Sequence, residues 1–369
     1  IYICTTIIQK IKQMLNKISS LLLLSLLFIG CNSNPLDVDV SNTDLKLDVY
    51  RYDVDMFNAK SVNDLAIVNT NQIQQGGELY EFYVMEMLSS GSPYHDSIAN
   101  TLFYFTQDSI MKMVNNNVQN LFGDFTSEQA QLIDMFKHLK FHIPHAMLPT
   151  NVITYNSTFA NGVVSTPTQI GLSLEMYLGN DNEIIKQLPY PEYFKTKMEK
   201  HFLMADIAQS WIEANVMENN AGDEFLSNMI YNGKLLYLID AMLPHAEDHL
   251  KIRYSKEEYE WAEMSEYNVW KHIIEQNWIY STDIKLIVRY FKPGPTTVGL
   301  EGSPSKMGQY LGWKIVKAYM DKNPDVTIQK LIAEKKVIEK DILVEEIHDF
   351  DEIFLANSLY DKISVVEII

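Results

Sequence analysis

Cysteine is nearly absent from the 369 residues: there are two, Cys4 and Cys31. Cys4 precedes the first methionine, Met14, where a signal peptide is expected to start. Residues 1–13 therefore read as translated upstream sequence. A mature chain beginning at Cys31 would hold one thiol, which excludes a disulfide framework and a cysteine metal site within it. Basic residues are also scarce, with 30 Lys and Arg against 48 Asp and Glu and a formal charge of −18. Leaving out the three lysines of residues 1–30, a stretch without acids, takes this to −21. That balance disfavours nucleic acid and anionic membrane surfaces as partners and favours solubility, basic partners or divalent cations. Long apolar runs are missing too. The longest candidate, Leu21 to Ile29, is shorter than the roughly 20 residues of a spanning helix and suits the core of a signal peptide.

That run ends in Gly30-Cys31, a small residue followed by cysteine, with Lys17 upstream. This is the pattern of a bacterial lipoprotein signal at 14–30, with Cys31 as the lipid attachment site. An ordinary signal peptide cleaved nearby and an uncleaved anchor are the alternatives. More than one acyl chain gives stable attachment, at about 0.8 kcal/mol per buried CH₂. Asp is absent after Cys31 and no acidic cluster follows, so the expected location is the cell envelope, at an outer membrane and facing the periplasm.

Aliphatic and aromatic residues are plentiful, which excludes a disordered composition. Residues 31–44 read as a polar tether and 45–369 as one globular domain. The alternation of 45–52 predicts a strand leading into a helical turn. Helices are predicted at about 78–88, 97–106, 108–122 and 127–141, the last capped by Ser127. Two β-rich runs, 152–156 and 169–177, flank Asn161-Gly162 and predict a hairpin or a neighbouring pair. Beyond Pro191 the chain reads as helices at 194–217, 222–241, 255–277, 281–291, 304–322 and 327–336. Asp283 is expected in a first turn, and Ser303 as the cap of the helix at Pro304. The fold class is α+β, predominantly helical, with a small sheet in the N-terminal half.

Four groups of residues are candidates for chemistry. His245 and His249, four apart with Glu247 and Asp248 between them, have the spacing of a zinc-binding helix, but the glutamate is misplaced for HExxH. Pro244 makes a polar loop the plainer reading. His138 and His142 can share a helix face, with His145 beyond Pro144; a helix C-terminus explains histidines there without a metal. Asp206 stands in an apolar stretch, followed by Trp211 and Glu213, and a buried carboxylate needs a partner or a shifted pKa. The loop Lys292 to Gly302 lacks phosphate-binding spacing. Gly308 and Gly312, one turn apart, read as a packing face, and Trp261, Trp270, Trp278 and Trp313 as core. No serine-nucleophile elbow is present.

Several strings resemble the GldB family of gliding-motility lipoproteins. They are Arg51-Tyr52-Asp53-Val54-Asp55-Met56-Phe57, Gly171 to Gly179, Gly233 to Pro244, Ser303 to Val316, and Ile353 to Tyr360. Leu359 and Asp361 depart from the family's usual Ser-Lys-Tyr-Lys-Pro ending. The resemblance implies a lipoprotein needed by the gliding apparatus and the type IX export system, acting as an accessory or assembly factor among other envelope proteins. The layout is also distantly similar to predicted zinc peptidases. At the matching positions this chain carries Asp206, Ser210 and, before Gly233, Asn232, so none of the three ligand positions keeps its His or Glu. The implication is a degenerate zincin-like fold with a leftover cleft, no catalytic residues, no metal and no cofactor. A periplasmic metal-dependent hydrolase using His245 and His249, and a lipoprotein holding a peptide or glycan in that cleft, are the alternatives.

Overall fold

The structure, a computed structural model, describes residues 34–218 and 221–333. Cys31, the expected signal segment at 14–30 and the closing string at 353–360 lie outside the described residues. The main compact unit begins at Asp39. Val40, inside the stretch expected to be a tether, is buried.

Within this unit the order is β1 (Asp48–Arg51), α1 (Tyr52–Asn58), α2 (Val62–Phe82), a π-helical turn (Tyr83–Met87), α3 (Ile98–Gln107), α4 (Ser109–Phe122) and α5 (Thr126–His142). Next come β2 (Asn151–Tyr155), β3 (Val163–Ser165), β4 (Gln169–Ser173), a 3₁₀ turn (Leu174–Tyr177), α6 (Glu183–Gln187) and α7 (Glu192–Lys195). The remainder is a 3₁₀ turn (Lys200–Phe202), α8 (Leu203–Asn215), α9 (Phe225–Met242), α10 (Asp248–Lys251), α11 (Lys256–Glu275), α12 (Ile284–Phe291), α13 (Met307–Lys322) and α14 (Ile328–Ala333). The fold is α+β and mainly helical, with its sheet in the N-terminal half.

The sheet runs β1-β2-β4-β3. β2 lies parallel to both β1 and β4, and only β3 is antiparallel, to β4. The two β-rich runs are thus parallel neighbours rather than a hairpin. Both are buried along nearly their whole length, as central parallel strands are. Asn161-Gly162 leads into β3, and the reversal occurs after it, where the Thr166 amide donates to the Gln169 carbonyl at 2.9 Å.

The expected helix at 78–88 starts after Gly77, whose non-helical backbone (φ 48°, ψ −129°) kinks α2, and a helical segment that the sequence did not mark runs from Val62 up to that kink. Ser61 caps it by accepting from the Asp64 amide, and the Asp64 carboxylate accepts from the Lys60 amide. The inner face includes Asn69 and Gln72, which hides the apolar period. Asn69 is satisfied there by the Tyr80 hydroxyl at 2.6 Å and the Pro93 carbonyl at 2.9 Å. Three expected helix starts are corrected. The 126–142 helix starts after Phe125, which is left-handed, and Ser127 does not cap it. Asp283 is the N-cap of α12 rather than a first-turn residue. Ser303 does not start α13: its hydroxyl closes the preceding loop on the Leu300 carbonyl, and the helix begins after Lys306. The expected helix at 194–217 is broken into α7, a 3₁₀ turn and α8.

The first family-like string works as a clamp. Arg51 meets Asp53 through two bonds, at 3.0 and 2.8 Å. It also reaches the Thr154 hydroxyl, the Gly123 carbonyl and the Gln119 side chain, which ties β1 and α1 to β2 and α4.

The C-terminal half is organised by the crossing of α9 and α13. Helix α9 is buried all round from Gly233 to Met242, as expected of a central helix. A methyl group on Gly233 would overlap the Gly312 carbonyl, and one on Gly312 the Met229 carbonyl, so the backbones touch. Gly308 faces the Phe291 ring, which a Cβ would approach to 2.6 Å. Trp270 and Trp313 are core residues. Asp240, deep in α9, accepts from Lys251 at 2.7 Å and from the Trp313 indole at 2.7 Å. Lys317 lies 3.3 Å from Asp240 and 2.8 Å from Asp248, over the Trp313 ring.

Gly233→Ala and Gly312→Ala should each destabilise the protein by about 3 kcal/mol or more, because the clash outweighs the roughly 1 kcal/mol that alanine gains in a helix. Gly294→Ala, whose Cβ would meet only the Thr296 carbonyl at 3.5 Å, should change stability little. Chemical denaturation of the three variants measures the contrast.

Candidate functional site

One cleft, lined by the candidates Asp206, Ser210 and Glu213, has a volume of about 310 Å³. It lies between α8, the start of β3, the 3₁₀ turn after β4, and the chain around Lys197 and Arg253. Asp206 and Ser210 are one turn apart on α8, so both present the same face to it. Ser165 on β3 fixes that face through a 2.9 Å contact between its hydroxyl and that of Ser210. The Asn215 side chain adds a bond to the Thr166 carbonyl at 3.1 Å. Met176, Met198 and Phe194 supply the apolar part of the wall.

Asp206 is the electrostatic centre. The Tyr177 hydroxyl donates to its Oδ2 at 2.8 Å, and Arg253 Nε lies 3.1 Å from its Oδ1. Burial raises the Asp206 pKa above the usual aspartate value, against the pull of Arg253 and the Tyr177 hydrogen bond. Burial, and then Asp206 itself, push the Tyr177 hydroxyl well above its ordinary range. Arg253 is fixed from two more sides: it donates to the Lys197 carbonyl at 2.8 Å and lies over the Phe202 ring. Lys197 pairs in turn with Glu258.

Behind Arg253 stands Lys306, whose amine donates to the Ile252 carbonyl at 3.2 Å. Burial lowers its pKa to about 8, helped by the repulsion of Arg253 and Lys197 and opposed by Asp206 and Glu258. Arg253 and Lys306 both have left-handed backbones, with φ of 60° and 63°. This conformation is uncommon for residues with a Cβ, and such strain gathers at functional sites.

Of the remaining sequence candidates, Glu213 reaches the cleft and the others are placed elsewhere. Asn232 does not line the cleft; its side-chain amide donates to the Asn228 carbonyl one turn back on α9. Trp211 turns into the core, edge-on to Phe136, and its indole donates to the Met147 carbonyl. Glu213 lines the cleft and accepts from Gln209 at 3.0 Å. His245 and His249 do not share a helix: His245 is in the turn after α9, and His249 is in the four-residue α10. His249 Nε2 lies 3.3 Å from Glu247, and His245 stands edge-on to the His138 ring. His138 is buried while His145 is exposed, so the three histidines of α5 and its C-terminal turn do not converge. Among the described residues, no group of three or more His, Cys, Asp or Glu could hold a metal ion. The 292–302 loop is a brace: the Thr297 hydroxyl donates to the Pro304 carbonyl and accepts from the Met307 amide.

Sequence reasoning missed Tyr177, Lys197, Arg253 and Lys306. The first and last stand inside family-like strings, which was a usable signal. Arg253 and Lys197 gave none, because their place depends on chain reversals between short helical turns. Chemically the site is a cleft in which an acid, a phenol and cations lie against one another. Gln209, Ser210, Glu213 and the thioethers are left to line the open space.

Arg253→Met should destabilise the protein by about 2 kcal/mol by leaving Asp206 buried without its cation. Asp206 then titrates still higher in the folded state. The loss should therefore be larger at about pH 8 than at about pH 5, since stability drains away as pH rises through a raised carboxyl pKa. Urea denaturation at the two pH values tests this.

The family described as gliding motility protein GldB matches residues 33–345, beginning two residues after Cys31. No curated protein and no solved structure matches the chain. With most of its length covered by that one match, this chain belongs to the GldB family of gliding-motility lipoproteins.

Proposed function

We propose that this protein is a lipid-anchored, non-catalytic accessory or assembly component of the gliding machinery and of the type IX secretion associated with it. Cys31 is its attachment site, the periplasmic face of the outer membrane its location, and other envelope proteins its partners. The family match over residues 33–345 carries this reading. Two features of the described residues support it. No helix is long and apolar enough to cross a membrane, which suits attachment by lipid. Asp206 is already engaged by Tyr177 and Arg253, and Ser210 by Ser165, so the cleft lacks a nucleophile poised against a base. The volume of the cleft favours a second role within the same assembly, holding a peptide or glycan segment.

Cells lacking the protein should lose gliding and type IX export together, and the full chain should restore both. Cys31→Ser should release the protein from the membrane fraction and fail to restore gliding. The purified protein should hold no stoichiometric zinc. Normal export in the deletion strain would overturn the assembly role. Near-stoichiometric zinc that disappears in His245→Ala would replace it with a metal-dependent hydrolase.

A further inference from the structure

The chain leading into β1 is seated on α5. Gln129, in the first turn of α5, donates to the Leu47 carbonyl at 2.8 Å, and Lys140, in its last turn, donates to the Asp44 carbonyl at 3.0 Å. Followed backward from Leu47 to Asp44, the chain therefore tracks α5 to its C-terminal end. There it turns: the Thr43 amide donates to the Val40 carbonyl at 3.0 Å and the Ser41 amide to the Asp39 carboxylate at 2.9 Å. Val40 is buried, so Asp39 is held close to the end of α5. Residues 32–38 are all that separate it from Cys31. Fully extended, that stretch reaches at most about 28 Å, little more than half the roughly 50 Å across a compact domain of some 300 residues. A bilayer that holds Cys31 by its lipid therefore faces the side of the domain on which α5 ends.

That side carries apolar residues on a fixed turn. Phe141 and Met147 are 50% and 49% exposed, and Pro144 and His145 between them are exposed as well. The Ile143 amide donates to the Leu139 carbonyl and the Ala146 amide to the Ile143 carbonyl, which closes the turn. The Trp211 indole holds the Met147 carbonyl at its far end. The charge here is also unlike that of the whole chain. Among 48 acids, none falls between Asp134 and Glu175, and the Lys and Arg of that stretch are Lys137 and Lys140. The acids brought beside it are Asp39 and Asp44 of the seated segment, next to Lys140. A protein of formal charge −18 can thus bring this end to phospholipid headgroups without presenting a wall of carboxylates.

We propose that residues 141–148 dock on the phospholipid surface to which Cys31 attaches the protein, with Phe141 and Met147 entering the boundary between headgroups and acyl chains. This rests on the lipid attachment proposed above. Two side chains bind a bilayer weakly by themselves, and the short tether supplies the effective concentration that makes their contact persist. Docking orients the domain. His245, just past the end of α9, stands edge-on to His138 of α5, whereas Phe225, at the start of α9, packs on Tyr290 and Phe291 of α12. The 18 residues of α9 span about 27 Å, so α12 with its exposed Ile284 and Val288 stands at the far end of that helix.

Amide hydrogen exchange tests the docking on the natural protein, extracted with its lipid and reconstituted on vesicles of phosphatidylcholine and phosphatidylethanolamine. Exchange over residues 141–148 should slow by about 5-fold or more relative to Cys31→Ser in solution, while α9, α12 and α13 exchange alike in both. Phe141→Ser combined with Met147→Ser, at exposed positions that spare the core, should still float with the vesicles and lose the added protection. Ile284→Ser combined with Val288→Ser should keep it. Unchanged exchange at 141–148 in a protein that floats would overturn the docking and leave the lipid attachment standing. A natural protein that does not float would overturn the attachment and the docking with it. Protection that survives loss of Phe141 and Met147, or that vanishes with the α12 pair, would also overturn the docking. So would protection that grows with the concentration of Cys31→Ser without vesicles, which would assign this face to a second copy of the chain.

Discussion

The contact between the backbones of α9 and α13 at Gly233 and Gly312 is the constraint on which the C-terminal half depends. With no side chain between them, the helices come close enough for Trp313 to reach Asp240 in the middle of a buried helix. A carboxylate at that depth is tolerable only when fully partnered. Lys251 and Lys317 complete the set and bring in α10 and Asp248. The chain leaving α10 then carries Arg253 to Asp206. One steric condition thus propagates through a chain of charges from the core to the cleft.

The N-terminal half solves a similar problem with different means. Arg51 and Asp53 hold the first strand and helix to β2 and α4 by hydrogen bonds in which nearly every donor has a named acceptor. A tyrosine cluster, Tyr52, Tyr80, Tyr83 and Tyr155, fills the space beneath, edge-on and stacked. Hydroxyls in that cluster find partners across elements, as Tyr83 does at the Asn156 carbonyl. Polar groups therefore specify the packing in both halves.

How much of this was legible in the sequence followed from where the apolar residues fall. Helices with an apolar stripe, such as α3, α4 and α12, stood out. The part of α2 before the Gly77 kink did not, because Asn69 and Gln72 occupy core positions. The strands β2 and β4 were readable as short apolar runs, but their parallel pairing was not, since it depends on β3 folding back on β4. In the cleft, Asp206 was visible as an acid in an apolar stretch, and Ser210 was named only through the resemblance to zinc peptidases. Arg253 was invisible because its partner is 47 positions away along the chain and its backbone conformation has no compositional mark.

Arg253 and Lys306 occupy backbone positions that glycine or asparagine would adopt with less strain. Any thermostabilisation scheme that scores local geometry would replace both. Doing so would relax two peptide units and strip the positive side from Asp206. At this edge of the molecule, robustness to heat and the charge pattern of the cleft are in direct competition.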